Sequence, residues 1–161
     1  MKNKIQNAFL QFIKHDRYLL EAKANERSLT HRLAIHVHAE FPDYHVDCEY
    51  NRDGHRPKRL NTFKRAVNSD DVKGVTVFPD IIVHQRGQGA GHNLAVIEAK
   101  TSQNRLGCTY PAVNECPCDL CKLRAYKANL GYQYAFFVNF PFGDDLENYT
   151  EGKLNKYVIE V

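Results

Sequence analysis

Asp80, Glu98 and Lys100 are ionisable residues at the ends of otherwise apolar, β-branched runs. Val75-Thr76-Val77-Phe78 and Ile81-Ile82-Val83 flank Asp80, and Leu94-Ala95-Val96-Ile97 leads into Glu98-Ala99-Lys100. Runs of this kind read as strands. A carboxylate or ammonium desolvated at a strand end is costly unless a partner or a metal ion compensates it. Alternation along a strand gives Glu98 and Lys100 one face, roughly 6.6 Å apart along the axis, and turns Ile97 and Ala99 to the other. If the Asp80 segment pairs with the Glu98 segment through the Gly-rich turn from Gln85 to His92, two carboxylates and one amine converge. Such oxygen donors suit Mg²⁺ or Mn²⁺, and Mg²⁺ is commonly held by one or two carboxylates, several waters and substrate phosphates. An amine beside that site either loses its proton more easily or stays charged and offsets a developing phosphorane, and the sequence leaves both open. The plainer reading of the same residues is a salt-bridge cluster at the rim of a sheet, where an exposed pair contributes about 0–1 kcal/mol.

Pro79-Asp80, a spacer and Glu98-Ala99-Lys100 resemble the signature of the PD-(D/E)XK nuclease superfamily. The resemblance covers roughly residues 24 to 140 and implies a restriction-endonuclease-like α/β fold. That fold has an α-β-β-β-α-β core with a mixed central sheet flanked by helices; here an extra N-terminal helix would precede it. The first strand would be His45-Val46-Asp47-Cys48-Glu49-Tyr50. Carried over position by position, the resemblance implies Asp80, Glu98 and the Ala99 carbonyl as Mg²⁺ or Mn²⁺ ligands and Lys100 as the catalytic lysine. Glu26 resembles the accessory helix acid of many members, which implies a catalytic role for it in holding a second Mg²⁺ or a metal-bound water; its plainer reading is a first-turn acid favoured by the helix dipole beside the N-cap candidate Asn25. The implied activity is a metal-dependent nuclease that hydrolyses phosphodiester bonds as a DNA endonuclease. The rival is a catalytically inactive nucleic-acid-binding or assembly protein of the same fold, and a hydrolase of another substrate is a third reading.

The elements that must position these residues are also legible. Ile5, Ala8, Phe9, Phe12, Ile13, Leu19 and Leu20 recur at helical spacing, which predicts an amphipathic helix over 3–22. Leu29, Leu33, Val37 and Phe41 continue a second helix that Pro42 ends, with Glu26 on the side of Leu29 and Leu33. Asp119 reads as an N-cap before the stripe Leu120, Leu123, Tyr126, Leu130, and Gly131 as its stop. Tyr132 to Phe140 reads as a buried last strand, and Tyr157-Val158-Ile159 as a small edge strand. His31, His36 and His38 lack the spacing of a helical metal motif and read as helix histidines with local partners.

A length of 161 residues, 43% hydrophobic and 25% charged, suits one folded domain over 1–161. No run approaches the ~20 apolar residues of a membrane span, and Met1-Lys2-Asn3-Lys4 leads into an amphipathic helix, so the expected compartment is the cytoplasm. The net charge of +3 decides little, but Arg52, Arg56, Lys58, Arg59, Lys64 and Arg65 oppose Asp53 alone within one stretch. Such a patch either tracks a phosphate backbone or is a solvated loop. Lys122, Arg124 and Lys127 on the later helix offer further backbone contacts or an ordinary charged face. Cys108, Cys116, Cys118 and Cys121 crowd the connection after Lys100, dense enough for a structural tetrahedral Zn²⁺. An iron–sulfur cluster, as some superfamily members hold, would need Cys48 as a distant ligand; reduced thiols without metal are the remaining alternative. A homodimer would suit double-strand cleavage, although no surface stripe identifies an interface.

Overall fold

A computed structural model describes residues 1–53, 56–57, 59–60, 75–76, 78–101 and 119–161. The chain opens with α1 (Lys2–Glu21), whose buried Ile5, Ala8, Phe9, Phe12, Ile13 and Leu20 form the predicted apolar stripe. Asp16 leaves helical geometry (φ −120°, ψ 15°), kinking the helix. Helix α2 (Glu26–Glu40) starts at Asn25, whose side chain accepts the Ser28 N–H at 2.9 Å. That bond satisfies one of the orphan donors of the first turn and fixes where Glu26 begins the helix.

Five strands form a mixed sheet in the order β1 (His45–Cys48), β2 (Ile81–His84), β3 (Asn93–Thr101), β4 (Tyr134–Phe140), β5 (Val158–Glu160). The first three are antiparallel, β3 and β4 run parallel, and β5 is antiparallel to β4. A parallel pair needs a crossover, and α3 (Asp119–Leu130) supplies its helix. Gly131 ends that helix at φ +71°, a conformation that favours glycine, and a Cβ there would come within 3.1 Å of the Ala90 carbonyl oxygen.

The sheet buries both faces. Ile81, Val83, Ala95, Ile97, Ala99, Phe136, Val138 and Phe140 pack against α1 and α2, while Ile82, Val96, Ala135 and Phe137 pack against α3. The mixed α/β class expected from the sequence is what the chain adopts. Within the described residues no helix is long and apolar enough to cross a membrane.

Several boundaries differ from expectation: the first helix is Lys2–Glu21 where the apolar spacing predicts 3–22, and the last long strand begins at Tyr134 and not at Tyr132. Val75–Thr76 pairs with Arg59–Leu60 in a separate ladder instead of joining the Asp80 strand, which begins at Ile81. Pro79 lies between them, and a residue without an N–H cannot donate to a ladder. The first strand stops at Cys48 because Glu49 takes a positive φ of 50° and its N–H turns to the Asp80 carbonyl at 3.3 Å. Asp119 is the first residue of α3 and not the residue before it, and its carboxylate accepts from Lys122 Nζ at 2.6 Å. The edge strand at the C-terminus begins at Val158, because Tyr157 closes the short helix α5 (Leu154–Tyr157), which follows α4 (Asp144–Glu147).

Candidate active site

Asp80 sits in a bend immediately before β2. The β2–β3 register matches Ile82 with Val96 and Ile81 with Ile97, so one step further Asp80 falls opposite Glu98. Residues opposite one another in a ladder project to the same side, and here that is the side of Ile82 and Val96, facing α3. Lys100, two residues beyond Glu98, shares it. The Asp80 carboxylate is locked to β3, since its Oδ2 accepts the Ala99 N–H at 2.8 Å.

Lys100 donates from Nζ to Glu26 Oε1 at 2.7 Å and lies 3.9 Å from Asp80 Oδ2. Helix α2 packs on the opposite face of the sheet, but its first turn reaches the strand ends, and this brings Glu26 to the amine. Burial pulls the Lys100 pKa down, but the hydrogen bond it donates to Glu26 and the charges of Asp80, Asp119 and Glu26 outweigh it, so the amine titrates above the usual lysine range. Lys100 is therefore an ammonium at neutral pH.

Glu98 is 3% exposed. Burial, reinforced by the negative charges of Asp80 and Asp119 and opposed by Lys122 and the Tyr126 hydroxyl, pushes its carboxyl up to about 8. Tyr126 OH donates to Glu98 Oε1 at 3.1 Å. Asp80 is also raised, by burial first, against the Ala99 N–H and the Lys100 charge. Asp119, Lys122 and Tyr126 lie on one face of α3 by their spacing. Lys122 is raised as well: burial lowers it, and the Asp119 hydrogen bond with the charges of Glu98 and Asp119 prevails.

Two carboxyls on one face, both raised by burial first, form a donor set that a divalent cation would complete. Hard oxygens, a backbone strand and room for water fit Mg²⁺ or Mn²⁺ better than any soft metal. Among the described residues no three His, Cys, Asp or Glu side chains are grouped as a ready-made metal cage.

Beyond this centre, an open cleft runs from Asp80 along the start of α2, bordered by Asn25, Glu26, Arg27, His31, Cys48 and Glu49. Arg27 in it pairs with Glu49 at 2.8 Å. Phe78, next to the buried Pro79, leaves 56% of its surface exposed at the rim. His36 is tied to Asp16 at 2.7 Å, the local partner expected for a helix histidine. Arg52 is exposed, whereas Lys58, Lys64 and Arg65 lie outside the described residues, and Arg56 and Arg59 fall in two-residue ladders. Cys121 is buried in the first turn of α3; Cys108, Cys116 and Cys118 lie outside the described residues.

Tyr126 and Asp119 are the site residues that the sequence reading assigned other work. Tyr126 belongs to the core stripe, as its periodicity says, yet a buried phenol needs a partner for its hydroxyl. That need was the only signal, and the partner stands 28 residues away on another strand. Comparison with family models, curated proteins and solved structures finds no match to this chain.

Proposed function

We propose that this protein is a divalent-metal-dependent nuclease of the PD-(D/E)XK superfamily, acting on DNA as an endonuclease. The observation that carries the reading is the convergence of Asp80 with Glu98-Ala99-Lys100 in ladder register on one sheet face, with Glu26 bonded to the lysine. The order α2-β1-β2-β3-α3-β4, three antiparallel strands followed by a parallel fourth, supports the restriction-endonuclease-like core.

Asp80, Glu98 and the Ala99 carbonyl would hold the cation, which when bound would offset charge on the scissile phosphate and acidify a water. Glu98 must first release its proton. Lys100, kept cationic by Glu26 and Asp80, orients toward the phosphate as a fixed positive charge and stabilises the pentacoordinate transition state. Tyr126 holds the Glu98 carboxyl in place from behind. In the net step the water oxygen bonds to phosphorus, the ester bond to the leaving oxygen breaks, and a water proton ends on that oxygen.

Purified protein with Mg²⁺ or Mn²⁺ is expected to cleave DNA. Asp80→Ala, Glu98→Ala and Lys100→Ala are each expected to slow it by roughly a hundredfold or more, the scale on which charge stabilisation of a transition state acts. A panel of single-stranded, duplex and branched DNA plus RNA reads this directly. Undiminished cleavage by Lys100→Ala overturns the mechanism, and salt-dependent DNA binding with no cleavage of any substrate favours a non-catalytic binding protein.

A further inference from the structure

Asn139 stands on β4 directly opposite Lys100 in the parallel ladder. Paired residues of neighbouring strands, about 4.8 Å apart, send their side chains to one face, and on β4 that face is shared with Ala135 and Phe137 on the α3 side. Asn139 thus belongs to the same surface as Asp80, Glu98 and Lys100. Its flanking residues Val138 and Phe140 are wholly buried on the other face.

The side-chain oxygen Oδ1 of Asn139 is buried and has no hydrogen-bond partner among the described residues. Buried acceptors nearly always have one, so an orphan calls for a cause. An asparagine is also a poor strand residue, depleted in sheets relative to the Val, Ile and Phe that make up the rest of this segment. By strand preference an apolar residue of the same shape would suit this position better. The residue as a whole is partly exposed, and rotation about its Cβ–Cγ bond is a soft motion that exchanges Oδ1 with the amide nitrogen.

We infer that Asn139 is a further residue of the active site, its Oδ1 the acceptor that holds the attacking water beside Lys100. This rests on the nuclease reading for the identity of the water. The division of labour follows from charge: Lys100 can only donate, so it cannot fix a water through the water's own protons, whereas an amide oxygen can.

The test uses Asn139→Leu, which keeps the shape and removes the amide, and Asn139→Asp, which keeps an acceptor oxygen. Asn139→Leu is expected to melt at or above the wild-type midpoint without divalent cations, and to lose roughly a hundredfold in kcat with KM for DNA unchanged. Asn139→Asp should recover part of that rate. A structural role would instead lower the midpoint and the rate together with no rescue by Asn139→Asp, and that result, or a wild-type rate in Asn139→Leu, overturns the inference. A second readout is independent of turnover. The Asn139 side-chain amide resonance, identified by its absence from the Asn139→Leu spectrum, should move when Ca²⁺ and a short DNA duplex are added. A stationary resonance overturns the inference even if the enzyme cleaves; a moving one with no cleavage by wild type keeps Asn139 in the site and strikes at the nuclease reading alone.

Discussion

At the residue scale the site is governed by desolvation. Glu98 combines near-complete burial with a like charge close by, and its proton is held to about 8. An acid whose folded pKa lies above its ordinary 4.5 stabilises the fold in its protonated form, so the contribution is fully present below about pH 4.5 and is lost as pH rises through 8. Asp80 shifts in the same direction. Metal-free protein is therefore expected to melt several degrees lower at pH 8.5 than at pH 5.5, and Glu98→Gln to flatten that slope. Divalent cation binding must displace the same proton, so Mn²⁺ affinity measured by calorimetry should rise by up to tenfold per pH unit below 8 and then level off. A wild-type melting point independent of pH across this range would refute the assignment.

At the element scale, the first turn of α2 is what delivers Glu26 to Lys100. Its geometry depends on the Asn25 side chain bonded to Ser28 N–H. Asn25→Ala is expected to cost about 0.5–2 kcal/mol of stability, the range for loss of a side-chain cap. Because the frayed turn also carries Glu26, cleavage should fall further than the stability loss explains, and Glu26→Gln in the same assay should reproduce the catalytic part alone. Denaturant melts beside rate measurements check both. If Asn25→Ala leaves the rate untouched, Glu26 does not act through the helix start. Helix α3 plays the matching part on the opposite face, where its Asp119, Lys122 and Tyr126 reach the Glu98 side of the site.

At the scale of the whole molecule, α1 packs its apolar stripe on the sheet and is also tied to α2 by a buried ionic knot. Asp16, 8% exposed at the kink, accepts from Arg32 Nε at 2.8 Å and pairs with His36 Nε2 at 2.7 Å. Burial alone would raise its carboxyl, but His36 and Arg32 prevail and hold it below the usual range. That stabilisation is present above about pH 3.8 and is lost as pH falls below it, the reverse of the Glu98 contribution. Asp16→Asn should lower stability at pH 7 by about 1–3 kcal/mol and narrow the gap from wild type in acid, as read by urea denaturation at pH 7 and pH 3. A loss of equal size at both pH values would remove the ionic explanation. Asp47 makes a comparable tie across β1 and β2, meeting His84 at 2.8 Å together with the Arg86 guanidinium.

Periodicity and punctuation in the chain determined the helices, the paired strands and the chemistry-bearing triplet, because apolar spacing, Asn25, Gly131 and the Asp80 and Glu98-Lys100 positions act within a few residues of themselves. Alternation alone put Glu98 and Lys100 on one face. The ladder register that sets Asp80 opposite Glu98, the end of the sheet to which α2 brings Glu26, and the partner that the Tyr126 hydroxyl finds were decided only by the tertiary structure. So was the pairing of Asn139 with Lys100. Each of these joins residues distant in sequence through strand order and helix crossing, and the burial that this assembly creates is what raises the carboxyls of Asp80 and Glu98.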